Sequence, residues 1–141
     1  MLFQDGRTPR HLFVFVLCTL IGASAVAQDN NCDDESREAE TIRLKIKVQG
    51  NRPTHLTKGH DEADGDTVTV CRGDTIEWKT NDKEFFIEFT EETPFDGGKK
   101  KPSVGNKLVV TVSDEAQRGV SYKYDVGIKD GEILDPIMIV D

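Results

Sequence analysis

Apolar and polar residues alternate strictly in the first long patterned segment of the chain, residues 42–48. Four aliphatic side chains are interleaved there with Arg43, Lys45 and Lys47. An apolar–polar period of two is typical of a strand with one buried face. Similar segments, bounded by turn residues, predict further strands at 67–71, 75–80, 84–90, 107–112, 120–128 and 133–140.

The turns between these segments contain the residues that tight turns require. Gly73 follows the second predicted strand, and Asp130-Gly131 is a hairpin signal before the last one. About seven short strands and no helical period predict an all-β fold, an antiparallel Greek-key β-sandwich, over residues 41–141. Pro136 predicts an edge position or a bulge in the last strand. The longest predicted loops are 54–66 and 91–106.

A different pattern occupies the N-terminus. Two arginines precede an apolar run, and small residues up to Ala27 follow it. This order predicts a secretory signal peptide over residues 1–27, with cleavage after Ala25 as the weaker alternative. The apolar run is about 10 residues long, short of the roughly 20 that a membrane-spanning helix needs. We therefore expect a periplasmic or secreted protein without membrane contact after cleavage.

Acidic residues dominate the charge of the chain. Residues 28–40 are polar and acidic without periodicity, which predicts a flexible lead-in. The formal net charge is −8, and removal of the weakly basic signal segment leaves −9. Such an excess argues against nucleic acids and anionic membrane surfaces as partners. We expect an exported protein partner, whose identity the composition does not specify.

Two cysteines, Cys32 and Cys71, remain after cleavage, because Cys18 belongs to the predicted signal peptide. An even number of cysteines in an oxidising compartment indicates a disulfide, and two free thiols are the alternative. A bridge would tie the lead-in to a predicted strand. In the chain-entropy model, closing a loop of this length contributes about 4 kcal/mol.

Several segments together resemble the cupredoxin-like family. Residues 68–78 are similar to that fold's V-x-V-x-x-G-D-x-V-x-W hairpin, and residues 86–89 resemble the strand that follows it. Residues 122–126 and 134–140 resemble the last two strands of an exported bacterial subgroup. The resemblance covers about residues 41–141 and implies a cupredoxin-like β-sandwich.

Copper proteins of this family hold the metal with two histidines, a cysteine and often a methionine. One histidine lies on the fourth strand, where this chain has Phe85 and Phe86. The other ligands come from the last hairpin, which here contains neither Cys nor His, and Met138 is the only candidate axial ligand. The resemblance therefore implies the fold without a type 1 copper site, and we expect no resident cofactor.

One acidic loop with two histidines is the remaining candidate for metal chemistry. His55, His60, Asp61 and Asp64 offer imidazole and carboxylate ligands for copper or zinc. Their spacing meets no defined metal motif, so a solvated acidic turn is the first expectation. The alternative is a periplasmic metal-handling protein, or an electron-transfer relative, that uses residues 55–66.

Nucleophilic catalysis has little support in the sequence. No histidine follows His60, and no Ser or Cys stands in a recognisable nucleophile turn. We therefore predict that the chain is not an enzyme. The expected function is that of an exported, non-catalytic binding or interaction module with a cupredoxin-like fold and no type 1 copper site.

Overall fold

The computed structural model describes residues 32–34, 36–59 and 63–141, so the predicted signal peptide lies outside the described residues. This part of the chain is all-β and contains eleven strands and no helix. The strands are β1 (Thr41–Gln49), β2 (Arg52–Lys58), β3 (Ala63–Asp64), β4 (Thr67–Val70), β5 (Thr75–Lys79), β6 (Phe85–Phe89), β7 (Lys100–Pro102), β8 (Lys107–Thr111), β9 (Val120–Ile128), β10 (Ile133–Leu134) and β11 (Ile137–Val140). Accordingly, no described segment is a helix that could cross a bilayer.

Two sheets pack face to face. The first has the order β3-β2-β1-β5-β8, and the second has the order β4-β11-β9-β6-β7 with β10 beside β9. The predicted all-β sandwich is confirmed. Its sheets are mixed rather than purely antiparallel, because β1 runs parallel to β5 and β11 runs parallel to β4. Alternation along one strand reports which side chains are buried, but it carries no information on the direction of the neighbouring strand.

The core lies between the two sheets and is centred on four aromatic rings. Trp78, Phe89, Phe95 and Tyr124 are buried, and their ring centroids lie 5.3 to 6.0 Å apart in edge-on or tilted contacts. Aliphatic residues from the inward positions of both sheets surround them. Each large side chain buried in this way stabilises the fold by roughly 1.5–3 kcal/mol. Burial also raises the pKa of the Tyr124 phenol, so this tyrosine stays neutral.

Three strands lie wholly or mostly in segments that the sequence predicts as loops: β2 and the short β3 in 54–66, and β7 in 91–106. Strand β2 contains a buried Leu56 and a buried Thr57 next to each other, so the apolar alternation that marks a strand is hidden. Its pairing with β1 shifts register between Lys47 and Val48. Strand β7 has the sequence Lys-Lys-Pro and pairs with β6, because this edge position requires no apolar side chain.

The last predicted strand is divided in two, as Pro136 suggests, but it is not an edge strand. Strand β10 pairs with one part of β9, and β11 pairs with another part of it. The Pro136 carbonyl lies in the break and accepts a hydrogen bond from the Tyr124 N–H at 3.1 Å. Since β11 lies between β4 and β9, the proline marks an interruption within the sheet rather than its border.

Candidate functional site

The outer face of the first sheet is strongly basic. On β1 the aliphatic residues point into the core, so the residues between them point outward. Strands β5 and β8 alternate in the same way, with Val109 among the outward residues of β8. We call the five cations on these outward positions the basic face: Arg43, Lys45, Lys47, Lys79 and Lys107. The chain as a whole carries a net charge of −8. The fold therefore separates charges that are mixed along the sequence.

Three of these cations form a row across adjacent strands. Lys45 lies directly opposite Lys79 in the parallel β1–β5 pair, and Lys79 lies directly opposite Lys107 in the antiparallel β5–β8 pair. Neighbouring strands are about 4.8 Å apart, so the row spans about 10 Å at the backbone. Like charges directly opposite each other destabilise a sheet. We call Lys45, Lys79 and Lys107 the lysine row.

One carboxylate, Glu77, lies among these cations. Lys107 Nζ donates a hydrogen bond to Glu77 Oε2 at 2.8 Å, and Arg43 lies opposite Glu77 in the β1–β5 register. The hydrogen bond from Lys107, together with the charges of Arg43 and Lys79, holds the Glu77 pKa below its usual value. Within the described part of the chain, Arg43, Lys45, Lys47 and Lys79 form no ion pair. Glu77 is the one carboxylate on the described outward positions of β1, β5 and β8, so these positions carry an excess of positive charge.

An open groove of about 490 Å³ adjoins the lysine row. Besides Lys45, Lys79 and Glu77, its lining residues include Arg43, Asn81 and Asn106. The Asn106 amide donates hydrogen bonds of 3.0 Å to the carbonyls of Thr80 and Asn81, which fixes its position. The groove therefore combines cationic groups with neutral amides.

The outer face of the second sheet has a different arrangement. Lys100 Nζ lies 2.8 Å from Glu88 Oε2, and Lys123 Nζ lies 2.6 Å from Asp135 Oδ2. The Lys100 ammonium also lies 4.0 Å from the centroid of the Phe86 ring. On this surface, which we call the paired face, Lys100 and Lys123 each have a carboxylate partner.

Of the four predicted metal-binding residues, His55 is the one whose side chain the structure describes. His55 lies on β2 rather than in a loop, with its side chain exposed and its Nδ1 3.2 Å from Thr54 Oγ1. It lies opposite Lys47, whose positive charge disfavours a bound cation. His60 and Asp61 lie outside the described residues, as does the side chain of Asp64. No group of three potential metal ligands exists among the described residues.

Apolar side chains occupy the positions to which the family resemblance assigns copper ligands. Phe85 lies opposite Ile128 in the β6–β9 pair, and both are buried. Met138 is fully buried within β11 between two neighbouring strands. Its thioether is therefore part of the core.

The predicted disulfide between Cys32 and Cys71 is confirmed, with the two Cα atoms 5.5 Å apart. It attaches the described part of the lead-in to the sandwich. A second attachment, which sequence reasoning missed, is the contact between Arg37 and Asp74. Arg37 donates two hydrogen bonds to the Asp74 carboxylate, at 2.8 and 3.0 Å.

Asp74 is fully buried although it carries a charge. Burial opposes its ionisation, but the hydrogen bonds from Arg37 and from the N–H groups of Glu40 and Cys71 outweigh that effect and lower its pKa. In the sequence, Asp74 stands in an Arg-Gly-Asp turn. The signal for a buried ion pair is Arg37, the one basic residue of the acidic lead-in. These four hydrogen bonds make Asp74 a structural group.

No protein-family model matches the chain, and no curated protein matches its sequence. Among solved structures, reduced copper(I) forms of amicyanin variants match with a TM-score of 0.41 at 10% identity, covering 78% of this chain and 89% of theirs. An oxidised amicyanin variant matches with a TM-score of 0.39 at 11% identity. A likeness of this size carries no argument about the function of this chain.

Proposed function

We propose that this chain is an exported, non-catalytic binding module that holds an anionic partner on its basic face. The observation that carries this proposal is the lysine row, in which Lys45, Lys79 and Lys107 lie directly opposite one another on three adjacent strands. Cross-strand pairs contribute roughly 0.2–1 kcal/mol each, and like-charged pairs are unfavourable. The Lys45–Lys79 and Lys79–Lys107 pairs therefore cost stability, which a neutral residue in place of Lys79 would recover.

A feature that lowers stability and contributes nothing to the fold is best explained by a function. None of the three lysines packs in the core, and all three are exposed. Glu77 offsets only part of the repulsion, since it forms its ion pair with Lys107 alone. A bound anion would relieve the repulsion along the whole row, so binding would gain from the same charges that cost stability.

Two other features support export and a non-catalytic role. The N-terminal pattern of residues 1–27 and the Cys32–Cys71 disulfide are both typical of an exported protein. Cys71, which could otherwise act as a nucleophile, is committed to that disulfide. Metal handling has less support, because His55 stands on an exposed strand opposite a lysine.

The direct test is retention of the purified protein on a sulfonate cation-exchange resin at neutral pH and low salt. We expect retention despite the net charge of −8, because the basic face can contact the resin on its own. The triple variant Lys45→Ala/Lys79→Ala/Lys107→Ala should elute at distinctly lower salt. A matched variant, Lys99→Ala/Lys100→Ala/Lys123→Ala, removes the same number of positive charges elsewhere and should elute close to the native protein.

Equal losses of retention in the two triple variants would contradict the proposal, because net charge alone would then govern binding. Failure of the native protein to be retained would contradict it as well. Thermal unfolding of each variant checks that the fold is intact before the comparison is made.

A further inference from the structure

We infer that the anionic partner is an acidic polysaccharide, whose carboxylate or sulfate groups contact the lysine row while its hydroxyl groups contact the adjoining groove. This inference rests on the proposed function and specifies its ligand. It rests on the lysines of the basic face, on the asparagines that line the groove, and on the absence of aromatic side chains from the outward positions of β1, β5 and β8.

The outward positions of β1, β5 and β8 carry no aromatic side chain. Binding of single-stranded nucleic acid relies on bases stacked on aromatic rings, each worth about 1–3 kcal/mol. A face made of lysine, arginine and threonine gives no such platform. Single-stranded nucleic acid is therefore a poor fit to this surface.

Protein partners also fit this surface poorly. The centres of protein–protein interfaces are enriched in aromatic residues and depleted in lysine. Here the exposed large apolar residue on the outward positions is Val109, while the centre of the surface is Lys79 with a lysine on either side. Such a surface attracts a charged chain but lacks the apolar anchors on which tight protein complexes depend.

The groove supplies hydrogen-bonding groups for the hydroxyls of a saccharide. Asn81 and Asn106 line it together with Lys45 and Lys79. Amide groups donate to and accept from hydroxyls, and ligand sites typically combine a few such groups at fixed positions. The Asn106 N–H groups donate to the Thr80 and Asn81 carbonyls, so this amide is held in place and its own carbonyl oxygen is the group left to accept from a ligand hydroxyl.

The dimensions of the row agree with a linear polyanion. The three lysines extend about 10 Å at the backbone. An extended sugar chain with one acidic group on each residue or each second residue can place two or three anions over that length. Each ammonium is a compact point charge on a flexible stem, which adapts to a carboxylate or a sulfate.

The experiment measures the affinity of the full, disulfide-bonded protein for five polymers at low salt. The two acidic polysaccharides are heparin, which is sulfated, and polygalacturonate, which is carboxylated. The comparison polymers are neutral dextran, poly-L-glutamate and double-stranded DNA. We expect at least one acidic polysaccharide to bind at least about tenfold more tightly than poly-L-glutamate or DNA, and dextran not to bind. Preference for heparin or for polygalacturonate identifies the acidic group.

Three variants locate the binding. Lys45→Ala/Lys79→Ala/Lys107→Ala should lower the polysaccharide affinity at least about tenfold, and the matched Lys99→Ala/Lys100→Ala/Lys123→Ala variant should lower it less than about twofold. Asn81→Ala removes the side chain of a groove residue and keeps the Asn81 carbonyl that accepts the Asn106 hydrogen bond. It should weaken polysaccharide binding about threefold and leave any residual poly-L-glutamate binding unchanged.

The outcomes separate this inference from the proposed function. If poly-L-glutamate or DNA binds as tightly as the polysaccharides and the lysine-row variant abolishes it, the polysaccharide inference is wrong while the proposed function stands. If no polymer binds, or if the two triple variants behave alike, both are wrong.

Discussion

The two outer faces of this sandwich treat the same residue type in opposite ways. On the paired face, Lys100 and Lys123 each lie within 2.8 Å of a carboxylate oxygen. On the basic face, Lys45 and Lys79 form no ion pair with any described residue, and they lie directly opposite each other. Both surfaces are exposed sheet faces, so the fold itself imposes neither arrangement.

The difference separates charge that supports the structure from charge that is available for binding. The paired face is neutralised locally, and Lys100 also covers the ring of Phe86, which in turn packs over Gly127. Among the described residues, the cations of the basic face have one ion pair, between Lys107 and Glu77. We therefore expect substitutions on the two faces to have different effects on stability.

The largest difference should appear at Gly127. A Cβ atom at this position would overlap the Phe86 ring, so Gly127→Ala must displace the ring from its place under Lys100. Urea unfolding should report a loss of about 1–3 kcal/mol, in the range of overpacking substitutions. The control is Val109→Thr on the outward side of β8, which should stay within about 0.5 kcal/mol of the native protein. Similar losses at both positions would remove the distinction between the faces.

Substitution of lysine by glutamine should change stability in opposite directions on the two faces. Lys79→Gln relieves repulsion from both neighbours in the row and should stabilise the protein by about 0.5 kcal/mol. Lys100→Gln breaks an exposed ion pair and a cation–π contact and should destabilise it by about 0.5–1 kcal/mol. Chemical denaturation of both variants at low salt measures the two signs. A destabilised Lys79→Gln variant would contradict the repulsion in the lysine row.

Added salt should weaken the repulsion within the lysine row and also the attraction between Lys100 and Glu88, so its effects on stability should have opposite signs on the two faces. Between about 0.01 M and about 1 M salt the Debye length falls from about 30 Å to about 3 Å, which screens exposed charges. The stability advantage of Lys79→Gln over the native protein should therefore shrink as salt increases. The disadvantage of Lys100→Gln should shrink in parallel. Unfolding free energies in a salt series test both trends, and an advantage that does not depend on salt would point to a non-electrostatic cause.

The smallest effect should come from Glu77, the carboxylate on the basic face. Its folded-state pKa lies below its usual value, chiefly because Lys107 donates a hydrogen bond to it. Ionised Glu77 thus stabilises the fold above that usual value, and the contribution is lost as the pH falls through the folded-state pKa. Glu77→Gln should be less stable than the native protein at neutral pH, and the two should converge in acid. Parallel unfolding free energies over the whole pH range would contradict this role.

Sequence reasoning succeeded where the physical signal is local. The alternation of residues 42–48 identified β1 and its buried face, and the even number of cysteines left after the predicted cleavage identified the pairing of Cys32 with Cys71. It missed β2, because Leu56 and Thr57 are buried next to each other and no apolar alternation remains. It also described the surface by net charge alone and so did not recognise a concentrated basic face.

The sequence by itself determined that the chain forms strands, which side chains of β1 and β5 point outward, and that these include several lysines. Only the tertiary structure decided that Lys45, Lys79 and Lys107 are neighbours. These residues are separated along the chain and meet because β5 lies parallel to β1 and antiparallel to β8 in one register. A strand's burial pattern is encoded in its own residues, whereas its partners and register depend on how the whole core packs.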